Sequence, residues 1–152
     1  MTVPAVGDQA PDFALQGTDG AVRLSAALTD GPVVLAFYQE DDTPGCRTQL
    51  TAFRDDYDLV RDLGARVLAV STDTLDSHRV FADRLGPPFP LLADSDGAVA
   101  RLYGVYDEAE RRARRAVFVI GTDGTVRLSI PWYTPGNPSQ FEQVFRALGL
   151  EG

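Results

Sequence analysis

The sequence predicts an α/β fold in which a parallel strand–helix–strand–helix unit is followed by an antiparallel hairpin and a last helix. Residues 33–38 form a short, unbroken apolar run, and residues 65–70 are apolar apart from Arg66; both segments are typical of strands buried on both faces. Two further strand candidates, residues 116–120 and 126–130, flank an Asp-Gly pair that favours a tight hairpin turn. The length is suited to one core, so we expect a single domain over residues 1–152.

The first half of the chain supplies the parallel unit. After the first buried strand, apolar residues recur at helical spacing and predict one helix that runs from Cys46 and stops at Gly64. The second buried strand follows. Beyond it, Asp73 or Thr74 is the expected cap of another helix, and Gly86 is its end.

The second half predicts antiparallel pairing. Residues 87–94 are too rich in proline for a central strand, and a short helix-like segment follows them. After the Asp-Gly hairpin, Asn137 and Pro138 start a final helix, with Gln140 completing a capping box. Another hairpin is expected near the N-terminus, turning at residues 19–20. This order is that of the thioredoxin fold, so the predicted class is α/β, thioredoxin-like, with an N-terminal β-hairpin extension.

Composition and charge exclude several classes of function. The net charge of −8 argues against phosphate backbones, so no nucleic-acid partner is expected. No apolar run approaches the roughly 18 residues of a membrane span, and the first residues do not resemble a secretory signal. One cysteine and one histidine exclude an internal disulfide and most zinc sites, and no cofactor is expected. We therefore expect a cytoplasmic protein without a membrane partner.

The single cysteine lies at the start of the predicted first helix of the parallel unit. Thr43 has the position of the N-cap. Pro44 and Gly45 are then the first two helical residues, and Cys46 is the third. Free N–H groups and the helix dipole favour an anion there, so this thiol should ionise more easily than a free one. The alternative is a buried structural cysteine, because free cysteine is among the most buried residue types.

A nearby cation is needed, because Asp41 and Asp42 work against a thiolate. The candidates are Arg47 and an arginine cluster before the third apolar run. The cluster consists of Arg111, Arg112, Arg114 and Arg115, of which the first two are expected on a solvated loop. Arg115 begins a strand that, in a thioredoxin-like sheet, lies beside the strand leading to Cys46. Arg115 is therefore the predicted partner of the sulfur.

The segment FYQEDDTPGCRTQLTAFRD resembles the active-site segment of peroxiredoxins, in their bacterioferritin-comigratory (Q-type) branch. The family signature there is Pro-x-x-x-Thr-x-x-Cys after Phe-Tyr. Further matches follow in order along nearly the whole chain. They are APDF, VLAVSTD, SHRVFA, FPLLAD, VARLYGV and RAVFVI. The resemblance implies a thiol peroxidase that reduces hydrogen peroxide or organic hydroperoxides.

The same resemblance assigns roles by position. Cys46 would be the peroxidatic cysteine, whose thiolate attacks the peroxide and becomes a sulfenic acid. Thr43 would hydrogen-bond the peroxide, and Arg115 would stabilise the thiolate and the charge on the oxygens. The implied substrate-binding residues are Gly45, Pro44 and Tyr38.

Three positions depart from the family pattern. Gln39 replaces a proline that shields the sulfur, and Gln49 stands where relatives often have a glutamate that orients the arginine. Thr51 occupies the position of a resolving cysteine. We therefore expect a one-cysteine peroxiredoxin, monomeric or homodimeric. Its external reductant would be thioredoxin, a glutaredoxin-like protein or a low-molecular-weight thiol.

Three other functions fit parts of this sequence pattern. A dithiol oxidoreductase is excluded because Thr43 stands where the first cysteine of Cys-x-x-Cys would be. A Cys-His hydrolase would need His78 near Cys46, whereas His78 is expected at the surface or as a helix cap. The remaining alternative is a catalytically weakened redox sensor or binding module on the same fold.

Overall fold

The computed structural model describes residues 2–149. The strands are β1 (Ala14–Gly17), β2 (Gly20–Arg23), β3 (Val33–Phe37), β4 (Arg66–Ser71), β5 (Leu91–Ala93), β6 (Tyr106–Asp107), β7 (Arg112–Ala113), β8 (Ala116–Ile120) and β9 (Val126–Ile130). The α-helices are α1 (Leu24–Ala27), α2 (Pro44–Asp55), α3 (Tyr57–Asp62), α4 (Leu75–Leu85), α5 (Ala98–Leu102) and α6 (Pro138–Ala147). Within residues 2–149, no helix has the length and apolar character needed to cross a membrane.

Seven of the strands form one mixed sheet in the order β2-β1-β5-β4-β3-β8-β9. β3, β4 and β5 are parallel, and β8 runs antiparallel to β3 on its other side. The predicted parallel unit and both predicted hairpins are confirmed. The expectation for residues 87–94 was wrong: β5 pairs with both β4 and β1 inside the sheet. It can do so because the prolines precede Leu91 and leave its N–H and those after it free to bond.

Helices cover the sheet on both faces, which explains the unbroken apolar runs. Val34 and Ala36 of β3 face the layer that contains α2, α4 and α6. Val33, Leu35 and Phe37 alternate with them and face α1 and α5. Every side chain of β3 and of β8 is buried. The end of β3 is therefore a rigid platform for the turn that leads into α2.

The helix predicted from Cys46 to Gly64 is two helices. α2 ends before Asp56, whose backbone (φ −103°, ψ 19°) lies outside the helical range, and α3 follows directly. The helical spacing of apolar residues continues through both helices, because Tyr57 and Val60 of α3 pack in the same core as α2.

The caps of α4 and α6 follow the prediction in part. Thr74 caps α4 through its side chain, and Gly86 ends it in the left-handed conformation. Asn137 caps α6 as predicted. The capping box was wrong, because the Oε1 of Gln140 accepts from the N–H of Thr134 (2.7 Å) and not from Asn137. This bond ties α6 to the segment after β9.

Candidate active site

Cys46 lies in the first turn of α2, directly behind the end of β3. The helix begins at Pro44, with Thr43 extended at the N-cap (φ −85°, ψ 149°) as predicted. The N–H of Arg47 makes the first helical bond, to the carbonyl of Thr43 (2.8 Å). The N–H groups of Gly45 and Cys46 therefore have no partner within the helix, and the positive end of its dipole adjoins the sulfur.

The side chain of Thr43 does not cap the helix. Its hydroxyl donates to the carbonyl of Glu40 (2.9 Å) and accepts no bond from the first turn. Since that proton is already used, the lone pairs of the oxygen remain available as acceptors. Thr43 is thus placed to accept a hydrogen bond from a ligand that carries an O–H group.

The sulfur of Cys46 is buried and receives a main-chain donor. The residue is 1% exposed and packs in the same core as Tyr38. Its Sγ accepts a hydrogen bond from the backbone N–H of Gln39, at 3.3 Å. Burial alone is what a structural cysteine shows, whereas a donor aimed at the sulfur favours its charged form. In the sequence, position 39 was visible only as a departure from the signature, and nothing there pointed to this contact.

Arg115 lies beside the same turn, immediately before β8. The register pairs Phe37 with Ala116, which brings Arg115 next to the end of β3. Its guanidinium packs against Gly45, where an added Cβ would lie 2.8 Å from Nη2. A residue without a side chain is needed for this approach. The predicted placement of Arg115 beside the start of α2 is therefore found in the structure.

Three side-chain atoms in the described part of the chain are buried without a hydrogen-bond partner: one on Arg112, which pairs with Glu40 through another atom, and one each on Gln49 and Arg115. Gln49 is 1% exposed, and its Nε2 donates to the carbonyl of Phe37 (3.2 Å) while its Oε1 is unpaired. The Nε of Arg115 is unpaired as well. Unpaired buried atoms are uncommon and are concentrated at functional sites. The guanidinium of Arg115 is thus fixed by packing on Gly45 and not by a carboxylate within residues 2–149.

The acidic residues of the loop have cationic partners of their own. Asp42 lies 2.8 Å from Arg84 and 3.6 Å from Arg47. Glu40 lies 3.1 Å from Arg112. These exposed pairs contribute little to stability, but they offset the negative charge that works against a thiolate. They also direct Arg47 toward Asp42 and leave Arg115 as the cation beside the helix start.

His78 is fully buried, so the expectation of a surface or helix-cap histidine was wrong. Its Nδ1 lies 2.8 Å from the carboxylate of Asp41, and its Nε2 lies 2.9 Å from the carbonyl of Leu92. Both ring nitrogens lie within hydrogen-bond distance of an oxygen atom, so both are already in use. No nitrogen is left to activate the cysteine, so the arrangement does not fit a Cys-His hydrolase.

Asp41 also accepts hydrogen bonds from the hydroxyls of Tyr38 and Ser77, each at 2.7 Å. Burial raises the pKa of Asp41, but the bonds from His78, Tyr38 and Ser77 outweigh it and leave the pKa below its ordinary value. Burial and the charge of Asp41 raise the pKa of Tyr38 well above the ordinary value, so Tyr38 stays a donor. Tyr38 is wholly buried and its hydroxyl is held by Asp41, and its predicted role in substrate binding stays a prediction.

Ligand atoms of Asp41, Asp73 and His78 lie within 4.8 Å of one another, a spacing that could suit a metal ion. Hydrogen bonds account for this spacing. The carboxylate of Asp73 accepts from the N–H of Asp41 (2.9 Å) and the hydroxyl of Ser71 (2.6 Å). With His78 bonded to Asp41 as well, the cluster is a polar network that anchors the loop to β4 and α4.

Pro44 and Thr51 lie on the outside of α2. Pro44 is exposed, and both residues line a shallow groove together with Arg47 and Thr48. The five positions from Cys46 to Thr51 correspond to about 140° around the helix beyond a full turn. The buried sulfur and Thr51 therefore lie on different faces of α2.

Known proteins that are similar to this chain are peroxiredoxins. The model of the AhpC/TSA family matches residues 6–129. The chain belongs to the AhpC/TSA family. The chloroplastic peroxiredoxin Q of Gentiana triflora is 37% identical over 123 residues, covering 80% of this chain and 57% of that protein. The putative peroxiredoxin bcp of Coxiella burnetii is 34% identical over 127 residues, covering 80% of this chain and 84% of that protein. The predicted peroxiredoxin resemblance, in its Q-type branch, is confirmed.

The fold of this AhpC/TSA chain is also that of a solved relative. The structure of peroxidoxin BcpB from Mycobacterium tuberculosis superposes with a TM-score of 0.85 at 32% identity, over 95% of this chain and 96% of that one. The predicted thioredoxin-like class is therefore confirmed. The chain covers about half to two thirds of the length of the plant relatives. It covers 57% of the Gentiana triflora protein and 66% of the Sedum lineare protein. Those relatives are chloroplastic by name, and the cytoplasmic location expected from the sequence stays a prediction.

Proposed function

We propose that this chain is a thiol-dependent peroxidase that reduces hydrogen peroxide or organic hydroperoxides, with Cys46 as the nucleophile. The observation that carries the proposal is the set of positive groups around the sulfur. The N–H of Gln39 bonds to it, it lies in the first turn of α2, and Arg115 packs on Gly45 next to it. Such groups favour a thiolate and stabilise negative charge on reacting oxygens. The names of the peroxiredoxin relatives support the same activity.

In the first half-reaction, the thiolate of Cys46 attacks the O–H oxygen of a hydroperoxide. An S–O bond forms and the O–O bond breaks, so that the sulfur is oxidised to a sulfenic acid. The other oxygen leaves with the electron pair as an alkoxide or hydroxide, takes up a proton and departs as alcohol or water. Thr43 accepts a hydrogen bond from the peroxide O–H, and Arg115 donates to the oxygens as charge develops on them. Exposed Pro44 and the bare backbone of Gly45 border the approach.

In the second half-reaction, an external thiol reduces the sulfenic acid, because the chain has one cysteine. The first thiol forms a mixed disulfide with Cys46 and releases water. A second thiol then displaces Cys46 as a thiolate and leaves as the partner of the external disulfide. Thioredoxin, a glutaredoxin-like protein and a low-molecular-weight thiol are the candidate reductants.

The proposal is tested by mixing the reduced protein with hydrogen peroxide and trapping the sulfenic acid at Cys46 with a dimedone-type reagent. Peroxide consumption is then followed with each class of reductant. We expect trapping much faster than for free cysteine and sustained turnover with at least one reductant. Cys46→Ser is the control and should show neither. Trapping no faster than for free cysteine would overturn the peroxidase function.

The second candidate function is a redox sensor that is oxidised by peroxide but turns over slowly. It is favoured by the Nε of Arg115 and the Oε1 of Gln49, which have no partner within residues 2–149, so no carboxylate in that range holds the guanidinium. It is also favoured by the burial of the sulfur, which limits access for a bulky reductant. Fast trapping of the sulfenic acid without turnover by any of the three classes of thiol would select the sensor.

A further inference from the structure

The backbone N–H of Gln39 lies 3.3 Å from the Sγ of Cys46 and is directed at it. We infer that this N–H is a catalytic group in its own right, which keeps the buried sulfur ionised and oriented for attack. The inference rests on the proposed peroxidase function. The side chain of Gln39 is not the acting part, because any residue except proline offers the same N–H.

The path of the chain explains why this N–H is free to reach the sulfur. The preceding N–H, of Tyr38, still bonds to the carbonyl of Val70 on β4 (3.0 Å). Successive N–H groups of an extended chain point in opposite directions, so the N–H of Gln39 points away from β4. The N–H of Asp41 is held by the carboxylate of Asp73 (2.9 Å). The loop is thus fixed on both sides of Gln39, and its donor is preorganised.

The environment of the sulfur gives this donor its importance. Cys46 is 1% exposed, and a buried anion without hydrogen-bond donors is strongly disfavoured. In the described part of the chain, the hydrogen bond that Sγ accepts comes from the N–H of Gln39. The first turn of α2 and the guanidinium of Arg115 add positive potential without a hydrogen bond to the sulfur.

The donor depends on position 39 not being proline, because a proline has no N–H to offer. At position 49 the chain has a neutral amide, and the Nε of Arg115 has no partner within residues 2–149. A direct donor at the sulfur thus accompanies a guanidinium that no carboxylate within residues 2–149 holds.

The test compares Gln39→Pro, which removes the N–H, with Gln39→Ala, which keeps it and removes the side chain. Ionisation of Cys46 is followed by the ultraviolet absorbance of the thiolate across a pH series, and oxidation by trapping of the sulfenic acid. Arg115, the Asp41–His78 pair and the paired residues Glu40 and Asp42 are common to both variants, so they cancel in the comparison. Gln39→Ala should stay within about twofold of the natural protein. Gln39→Pro should react about tenfold more slowly at neutral pH and form its thiolate at higher pH, because one hydrogen bond to a charged group is lost.

Equal ionisation and equal oxidation rates in the two variants would overturn the inference. If circular dichroism shows that Gln39→Pro does not fold, a backbone ester at position 39 replaces it, made with the α-hydroxy analogue of alanine and compared with Gln39→Ala. The ester removes the N–H without a proline ring, and the same difference is expected. Failure of the proposed function is a separate outcome: the natural protein would then react no faster than free cysteine, while the absorbance titration still decides the role of Gln39.

Discussion

The turn between β3 and α2 is held in different ways on its two sides. On the α4 side, Asp41 and His78 form a buried pair in which each polar side-chain atom has a partner. On the β8 side, the Nε of Arg115 and the Oε1 of Gln49 are buried without a partner among residues 2–149. One side of the turn is therefore a completed network, and the other has capacity left for a ligand.

Because of this difference, we expect substitutions on the two sides of the turn to affect different properties, stability on one side and reactivity on the other. A completed polar network fixes one conformation, whereas incompletely paired groups are typical of sites that bind or react. Substitutions on the α4 side should therefore mainly lower the free energy of unfolding. Substitutions on the β8 side should mainly lower the rate of reaction with peroxide. Each prediction below tests that division.

The largest effect is expected for Arg115→Ala on the β8 side. In the proposed reaction Arg115 is a preorganised donor to developing charge, and its loss should lower the rate of sulfenic acid formation about 100-fold or more. The melting temperature should hardly change, because no carboxylate within residues 2–149 pairs with Arg115. Arg47→Ala is the control, since Arg47 is next to Cys46 in sequence but lies 3.6 Å from Asp42. Equal losses in the two variants would remove the specific role of Arg115.

His78→Phe should have the largest effect on the α4 side. It leaves the buried carboxylate of Asp41 without its hydrogen bond to His78, which lowers the free energy of unfolding by about 2 kcal/mol in urea denaturation. The rate of sulfenic acid formation in the folded protein should fall far less than in the Arg115 variant. Adding Asp41→Asn to His78→Phe should recover part of the stability, because the buried carboxylate is then removed. A double variant less stable than either single one would contradict the coupling between His78 and Asp41.

Thr43 and Thr74 give a matched pair of threonines at two helix starts. Thr43→Val should lower the rate of peroxide reaction about tenfold, since in the proposed reaction its hydroxyl accepts from the substrate. Its stability should hardly change, because Thr43 does not cap α2 with its side chain. Thr74→Val should do the reverse and cost about 1 kcal/mol of stability, since Thr74 does cap α4. Thr43→Ser should keep most of the activity.

Gly45→Ala should have a smaller effect, which depends on Arg115. The new Cβ would meet the guanidinium at 2.8 Å and push it aside, so we expect a rate several-fold lower. The fold should tolerate the change, because alanine is the better helix former. In an Arg115→Ala background, Gly45→Ala should cause no further loss. A full additional loss there would show that Gly45 acts independently of Arg115.

The sequence predicted the frame of this site well. The apolar segments 33–38, 65–70 and 116–120 predicted β3, β4 and β8, because strands buried on both faces are predominantly apolar. The Thr-Pro-Gly-Cys order predicted the start of α2, because a cap, a proline and the first turn follow local rules. Those strands and that helix start were enough to place Arg115 beside Cys46.

The contacts that complete the site could not be predicted, because they are made at long range or by the backbone. The N–H of Gln39 has no signature in a sequence, since every residue but proline carries one. His78 was expected at the surface because its partner, Asp41, is 37 residues away. The strand β5 was not predicted, because it has only three residues and several prolines precede it.

The smallest effect concerns two carboxylates whose stability contributions should change with pH in opposite directions. The pKa of Asp41 is lower in the folded chain than in the unfolded one, so its contribution is present above about pH 4 and is lost as the pH falls through the folded pKa. Burial raises the pKa of Asp94 despite the bonds it accepts from the N–H groups of Ala100 and Val99. Its ionisation therefore costs stability as the pH rises above about 4.

Thermal unfolding of the natural protein, Asp41→Asn and Asp94→Asn over a pH series tests these signs. As the pH is lowered, the stability advantage of the natural protein over Asp41→Asn should shrink, because protonated Asp41 is neutral like asparagine. Its stability relative to Asp94→Asn should instead increase. If both differences moved in the same direction, the network around Asp41 would not hold an ionised carboxylate, and the completed side of the turn would lose its charge-based anchor.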